Sequence, residues 1–541
     1  MEDQFDYIIV GAGSAGCALA GRLSENGQHR VLLLEAGGDD RRFWVQVPIG
    51  YGKSFYDPSV NWMYMTEPVP TAGGRPSYWP RGKVLGGSSS INAMVYVRGQ
   101  AGDFNDWRDA GNPGWGWDDI LPVYRRMESH EWGESAWHGG SGPVHVTAPK
   151  DELHPLCEAY IKAGEEAGLP RNDDFNGASQ EGVGAYHVTT RDGLRMSAAR
   201  AYLWPARRRP NLRVEKHAMA ERLLFDGTRA TGVAYRCRGK LKRAHAKAEV
   251  IVAAGAVGSP LLLMRSGIGP AEDLKAAGID VLVDRPGVGR NMQDHYIVDQ
   301  TLKSRLPTLN NTLTPWWGKL WAGLQYVTAR RGPMSLSLNQ GGGFFKTRPD
   351  LERPNMQLYF SPLSYLKGPP GKRALMHPDP FAGFILSISP CRPTSRGYLR
   401  LRSADPEAAP EIQPNYLATE HDLQDNLEGL KFLRQLTSTP TMKDIVQEEL
   451  FPGPDVDSDE EMLDYIRTKG GSVFHPCSTC MMGSDAQTCV VDPSLKVYGT
   501  ENLRVADASI FPAVTSGNIN APSIMVGEKA SDIILKTAKN R

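Results

Sequence analysis

Two polar residues near the C-terminus have the types and spacing for proton chemistry. His475 opens the block His475-Pro476-Cys477-Ser478-Thr479-Cys480-Met481-Met482-Gly483, and Asn520 follows 45 residues later within the stretch GNINAPS. Imidazole has the ordinary pKa nearest neutrality, so it can take a proton from a reacting hydroxyl. A neighbouring amide can hydrogen-bond the oxygen as it becomes anionic and hold it in line. Asn520 is assigned that part, with Asn518 two residues away as the competing amide. His475 is one of 12 histidines, and a lone histidine is more often structural, so the surrounding block must carry the assignment. Cys477 and Cys480 form a Cys-x-x-Cys, but no second pair stands at zinc-site spacing, and they are read as small packing residues with no metal.

A second chemical signal opens the chain. Gly11-Ala12-Gly13-Ser14-Ala15-Gly16 follows a short apolar run and precedes a helix-length segment, and Glu35 lies 19 residues beyond Gly16. Gly11 permits a tight turn, Gly13 lets backbone approach a pyrophosphate at the helix N-terminus, Gly16 packs helix on sheet, and Glu35 can accept ribose hydroxyls. Strand, glycine run, helix and acid at this spacing predict a dinucleotide site, and leave NAD and FAD both open.

The elements that must position these residues read as a doubly wound α/β lobe with an inserted second lobe. Residues 6–10 and 31–34 are continuous apolar runs, as expected of parallel strands buried on both faces. Val250 to Pro260 repeats that signal and leads into a helix. Residues 50–80 are aromatic and irregular, with Tyr51, Phe55, Tyr56, Trp62, Tyr64, Tyr78 and Trp79, and suit a lid. Residues 300–465 alternate and are rich in proline, which predicts an antiparallel sheet carrying helices. The expected division is a dinucleotide lobe from 1–155, 196–300 and 466–541, and a substrate lobe from 156–195 and 301–465. Trp316, Trp317 and Trp321 form a stripe at helical spacing, read as core or crevice wall in preference to a surface for membrane or an electron acceptor.

Composition narrows the partners. Lys plus Arg and Asp plus Glu number 61 each, leaving no net field to gather nucleic acid. No apolar run reaches the roughly 20 residues that span a bilayer. The start, MEDQFDYIIV, lacks a basic n-region, which predicts a cytoplasmic location, with peripheral contact at the inner membrane as the second. Seven dispersed cysteines read as reduced thiols.

Two longer stretches add a resemblance. GKVLGGSSSINAMVYVRG, Gly82 to Gly99, and GAVGSPLLLMRSGIG, Gly255 to Gly269, resemble the two signatures of the glucose-methanol-choline oxidoreductase family. With the opening glycine run, GVGRNMQDH from Gly287 to His295 and the C-terminal block, the similarity extends over nearly the whole chain. It is closest in tone to choline-dehydrogenase-like and sorbose-dehydrogenase-like bacterial members. The resemblance implies FAD, a Rossmann-type lobe with an antiparallel substrate lobe, and His475 as the base for oxidation of an alcohol.

It further implies that Val84, Gly87, Asn92, Ala93, Met94 and Val95 lie against the flavin, Ala220 near the adenine, and Asp507 and Ala508 near the ribityl and pyrophosphate. Phe474 and Asn520 are counted with the cofactor contacts. Covalently flavinylated relatives carry a histidine where this chain has Ile91, which has no nucleophilic atom, so FAD is expected to be non-covalent. Choline-oxidising relatives carry a glutamate where this chain has Gln340, and a neutral amide cannot offset a buried cation. A neutral primary alcohol, polyol or polyether alcohol is therefore expected, with Gln340 and Val473 in its pocket. Quinone or another carrier is favoured over O2 as acceptor. The alternatives are an alcohol oxidase, a choline dehydrogenase and a lyase that keeps FAD without redox chemistry.

Overall fold

The computed structural model describes residues 3–366 and 377–539. Two seven-stranded sheets organise it. In the first, β1 (Asp3–Val10) lies between β2 (Val31–Glu35) and the later strands, and pairs parallel with β2 from Tyr7 against Val31 to Val10 against Leu34. Helix α1 (Ser14–Leu23) makes the crossover. The apolar runs of β1 and β2 form strands because both their faces are covered, and Val31 to Leu34 are all buried.

The strand order is β3-β2-β1-β6-β5-β4, where β3 is Leu212–Lys216, β4 Ala218–Asp226, β5 Arg229–Cys237 and β6 Lys240–Val252. Long β6 does two jobs. Its first half pairs antiparallel with β5, and its last residues pair parallel with β1 and with the short strand Leu503–Val505. That antiparallel meander was not foreseen in the sequence. Helix α2 (Gly255–Arg265) follows β6 directly, as the apolar run to Pro260 predicts.

The second sheet is antiparallel throughout, in the order β11-β7-β10-β9-β8 followed by the short strand Gly182–Ala185. Here β7 is Tyr296–Ser304, β8 Gly341–Phe345, β9 Met356–Ser361, β10 Gly383–Pro390 and β11 Val446–Phe451. One face turns Leu358, Phe360, Leu386 and Ile388 into the core. The other turns Ile297, Asp299, Tyr359, Ser361, Ile385 and Ser387 onto a cavity. This two-residue alternation puts polar groups on the cavity wall while the opposite face packs.

Helices α3 (Leu309–Leu313) and α4 (Trp316–Ala329) leave this lobe's edge, α5 (Glu420–Thr437) packs on β10, and α6 (Asn520–Lys539) returns to pack on α1. The tryptophan stripe is corrected here. Trp316, Trp317 and Trp321 on α4 are exposed, because the helix is anchored through Gly318, Ala322 and Tyr326 on its other side.

Candidate active site

Between the two sheets lies a cavity of about 2060 Å³, larger than the roughly 300–1,000 Å³ of an ordinary small-molecule site. The glycine run stands at one part of its wall. Gly11 has φ +103°, and a Cβ there would come within 2.4 Å of the Ala253 carbonyl oxygen, so only glycine makes this turn. At Gly13 a Cβ would meet nothing within 4 Å, because the position faces open cavity. Gly87 closes on it: its Cβ would lie 2.7 Å from the Gly13 Cα. The two motifs therefore form one cradle, with the α1 N-terminus aimed into it.

Glu35 lines the same cavity, and its carboxylate accepts the amides of Ala12 at 2.9 Å and Gly37 at 2.7 Å. Burial pushes its carboxyl up to about 7 despite those amides. Asp507 accepts the Gly255 amide, the Ser259 hydroxyl and the Ser509 amide, which fixes the start of α2. Ser14, Ala15, Asn92, Ala93, Met94, Val95, Ala220, Phe474, Ala508 and Asn520 also reach the cavity wall. An open amide-lined cradle, a carboxylate beside it and a long cavity fit a dinucleotide. Gly16 is buried within α1 and holds the turn without touching the cavity.

Two of the expected contact residues do not line the cavity. Val84 is fully buried with Val45, Val60 and Ile91 and does not line the cavity, whereas Ile91 does. Gln340 also lies off the wall: its side-chain oxygen accepts the His154 amide at 2.8 Å. Its neighbour Asn339 takes the cavity position.

On another part of the cavity wall the C-terminal block meets the second sheet. His475 is held at both ends of its peptide. Its N–H donates to Asp294 at 2.6 Å, and Arg81 donates to the carbonyl of Phe474. Phe474 has φ +68°, a left-handed conformation that persists in a bulky residue only where surroundings impose it. Asp294 also accepts the hydroxyls of Tyr416 and Ser472, and burial raises its carboxyl to about 6.

The imidazole has a directional chain behind it. His295 Nε2 lies 3.0 Å from the Cys391 carbonyl oxygen, which only accepts, so the proton sits on Nε2. Burial pulls His295 down to about 4, so it is neutral near pH 7 and its Nδ1 is an acceptor. His475 Nδ1, 3.0 Å away, must then carry the proton between them. That leaves His475 Nε2 with a lone pair toward the cavity. Burial, then the neighbouring His295 and Arg81, hold its pKa well below the ordinary imidazole value.

The amide beside that lone pair is Asn518, with Nδ2 at 3.2 Å from His475 Nε2. Its orientation is set by Gln357, whose Nε2 donates to Asn518 Oδ1 at 3.2 Å and to the Tyr186 hydroxyl at 2.9 Å. Gln357 Oε1 in turn accepts from Tyr359 at 2.7 Å. Asn518 can therefore only donate toward the imidazole. Asn520, expected in this place, instead accepts from Ser14 Oγ at 2.8 Å at the dinucleotide cradle. Asn518 stands in the extended turn before α6 and Asn520 is its first residue, so the two side chains diverge. Asp294 and His295 were visible within GVGRNMQDH but carried no periodic or spacing signal for their part. Cys477 and Cys480 are fully buried, and burial pushes the Cys477 thiol up to about 12.

An imidazole that is already neutral gives a defined pH response. Reduction of bound flavin by substrate is expected to be level from about pH 7 to about pH 9 and to decline only as acid protonates Nε2. Stopped-flow rates across that range check it. A rate still climbing above about pH 7 would mean that another group, with a higher pKa, is the base.

Known proteins resemble this chain over nearly its whole length. The family profile described as GMC oxidoreductase matches residues 5–297 and 393–527. Mitochondrial choline dehydrogenase of Mus musculus is 43% identical over 98% of this chain and 90% of its own. Oxygen-dependent choline dehydrogenase of Photobacterium profundum is 42% identical over 99% of this chain and 94% of its own. Among solved structures, pyridoxine 4-oxidase from Mesorbium loti superposes with a TM-score of 0.87 at 33% identity, covering 97% of this chain and 98% of that one. A formate oxidase superposes with a TM-score of 0.92 at 28% identity, covering 100% and 99%.

Proposed function

Because the chain belongs to the GMC oxidoreductase family, we propose that it oxidises a primary alcohol to an aldehyde with His475 as general base and FAD held without a covalent bond. The observation that carries this reading is the directional chain from Cys391 through His295 to His475, which leaves Nε2 unprotonated on the cavity side with the Asn518 amide beside it. FAD, when bound, supplies the acceptor for the hydride from the carbinol carbon. Gly11, Gly13, Ser14 and Ala15 would hold its pyrophosphate, and Glu35 its ribose.

His475 Nε2 takes the hydroxyl proton. As the alkoxide forms, the Asn518 Nδ2–H donates to its oxygen, and the anion develops against a dipole already aimed at it. The imidazolium that results is stabilised through its Nδ1–H to His295, whose own Nε2–H is anchored on the Cys391 carbonyl. Arg81 opposes that positive charge and so keeps His475 a ready proton donor once the aldehyde has left. Ile91 offers no atom for attachment of the flavin, which supports a dissociable cofactor.

Asn518→Ala is expected to slow flavin reduction by about 10²–10³-fold, as removal of an oxyanion donor does elsewhere, with flavin content unchanged. Asn520→Ala is expected to lower flavin affinity through the loss of Ser14's partner, with little change in the reduction rate of what remains bound. Flavin content and single-turnover rates measured on both variants separate the two roles. An exchange of those effects would return the catalytic part to Asn520.

A neutral primary alcohol with an apolar tail is the favoured substrate, supported by Tyr51, Phe55, Leu338, Tyr365 and Val473 on the cavity wall. Gln340 no longer bears on the choice, since it faces His154. A quaternary ammonium alcohol is the second reading. It is favoured by the carboxylate of Asp299, which lies on the cavity wall and accepts from Ser387 at 2.7 Å, and by the names of the relatives. Anaerobic titration with alkyl alcohols, polyols and choline decides between them, since the best bleacher of the flavin names the class. Slow reoxidation in air is expected, because quinone or another carrier is the proposed acceptor; fast reoxidation would make it an oxidase. The cytoplasm as its location and the five-segment division into lobes belong to the same reading, the latter supported by the two sheets.

A further inference from the structure

Helix α4 carries an apolar face that the reaction does not use. Trp316, Trp317, Leu320, Trp321, Leu324 and Val327 are exposed at 75%, 60%, 66%, 57%, 51% and 65%. At 100° per residue they fall on one arc, opposite the anchoring Gly318, Ala322 and Tyr326. Monomeric proteins rarely leave so large a contiguous apolar patch in water without a partner for it. Phe43, 51% exposed, stands edge-on to Tyr326 at 6.5 Å, and its neighbour Trp44 lies under the Lys53 ammonium at 3.8 Å.

Charge along this segment of the chain is one-sided. Residues 300–349 contain no Asp or Glu and seven Lys or Arg, in a chain with no net charge overall. Lys319, Arg330 and Arg331 flank the tryptophans, and among the described residues Glu152 lies 3.8 Å from Arg331. Tryptophan with basic neighbours matches the chemistry of a membrane interface, where indole sits at the headgroup level and lipid phosphates meet cations. A partner protein would demand complementary shape and acids; a bilayer demands only this composition.

The helix is also too short to cross. At 14 residues and about 1.5 Å per residue it is roughly 21 Å long, against a hydrocarbon core of about 30 Å. No described helix is long and apolar enough to cross a membrane. We propose that α4, with Phe43 and Trp44, lies in the surface of an anionic lipid bilayer and docks the protein there. The face is joined to the reaction chamber: Leu309 and Leu313 of α3 share an apolar cluster with Tyr51, Phe55 and Tyr365, which line the cavity. Docking therefore brings the apolar end of the cavity to the membrane, where an apolar alcohol or a lipid-soluble electron carrier is concentrated.

The test uses the FAD-loaded full chain in flotation with vesicles of phosphatidylcholine alone and with phosphatidylglycerol added. Binding is expected to both, more strongly to the anionic vesicles. Trp316→Ser, Trp317→Ser and Trp321→Ser together are expected to lower partitioning by at least about tenfold. Flavin content and single-turnover reduction by a water-soluble alcohol should be unchanged, because none of the three touches the cavity. Arg330→Glu with Arg331→Glu should lower binding to the anionic vesicles only. Failure of the wild-type protein to float with either vesicle would overturn the proposal. So would concentration-dependent dimers in vesicle-free solution that vanish in the triple variant, since the face would then belong to a second copy. Neither result depends on which alcohol is oxidised.

Discussion

His475→Ala is expected to purify with its FAD and to lose about 10²–10⁴-fold in the rate at which alcohol reduces the flavin, the usual cost of removing a general base. The cofactor is retained because His475 touches none of the cradle residues: its partners are Asp294, His295 and Asn518. Its fold survives because the peptide N–H to Asp294 does not depend on the side chain. His295→Leu provides the control that separates positioning from general stability. It leaves His475 Nδ1–H without its acceptor, so the tautomer with Nε2 unprotonated loses its preference. Its reduction rate is expected to fall less than that of His475→Ala, and the acid limb of its pH profile to move. A His475→Ala variant that reduces at the wild-type rate would remove the base from this position altogether.

The second large effect lies at the opposite part of the cavity. Gly13→Leu is expected to fold, because nothing in the protein lies within 4 Å of the new Cβ, and to lose FAD because the side chain enters the space before the α1 amides. Ligand linkage makes this measurable without activity. FAD at a hundred times its Kd should stabilise the wild-type apoprotein by about 2.7 kcal/mol and leave the variant unmoved. Gly87→Leu should fail differently. Its side chain would run into the backbone of Gly13 from a residue at φ +53°, so folding itself suffers. Full flavin content in Gly13→Leu would mean that the pyrophosphate does not lie over this turn.

Much of this was legible in the sequence, and the failures share a physical cause. Buried parallel strands announce themselves as unbroken apolar runs, and a phosphate-binding turn needs its glycines at fixed positions, so β1, α1, β2 and the cradle could be read residue by residue. His475 was singled out through its block, and it stands on the cavity wall. Where a side chain points within an irregular turn was not. Asn518 and Asn520 are two residues apart, and only the start of α6 at Asn520 sends one to the imidazole and the other to Ser14. Gln340 lies elsewhere for a related reason: it precedes β8, and before alternation begins its side chain and the Cβ direction of Gly341 both face the segment from His154 to Tyr160.

The chain behind the base was hidden more deeply. His295, Cys391, Gln357 and Tyr186 come from separate elements, and their parts are defined only by bond direction. The exposed face of α4 did have a signal. Gly318, Ala322 and Tyr326 recur every fourth residue, and so narrow a packing stripe left the bulky side chains nowhere to go but outward.

In the proposed reaction an alcohol leaves its hydride on the flavin while His475 takes its proton. Its most direct test is a single anaerobic turnover of the FAD-loaded enzyme with a primary alcohol, followed by flavin absorbance, with aldehyde assayed at the end. Bleaching is expected, with one aldehyde per flavin and slower bleaching when the carbinol carbon bears deuterium. A flavin that stays oxidised while the substrate is consumed would contradict it, and would mean that His475 serves a lyase in which FAD takes no electrons.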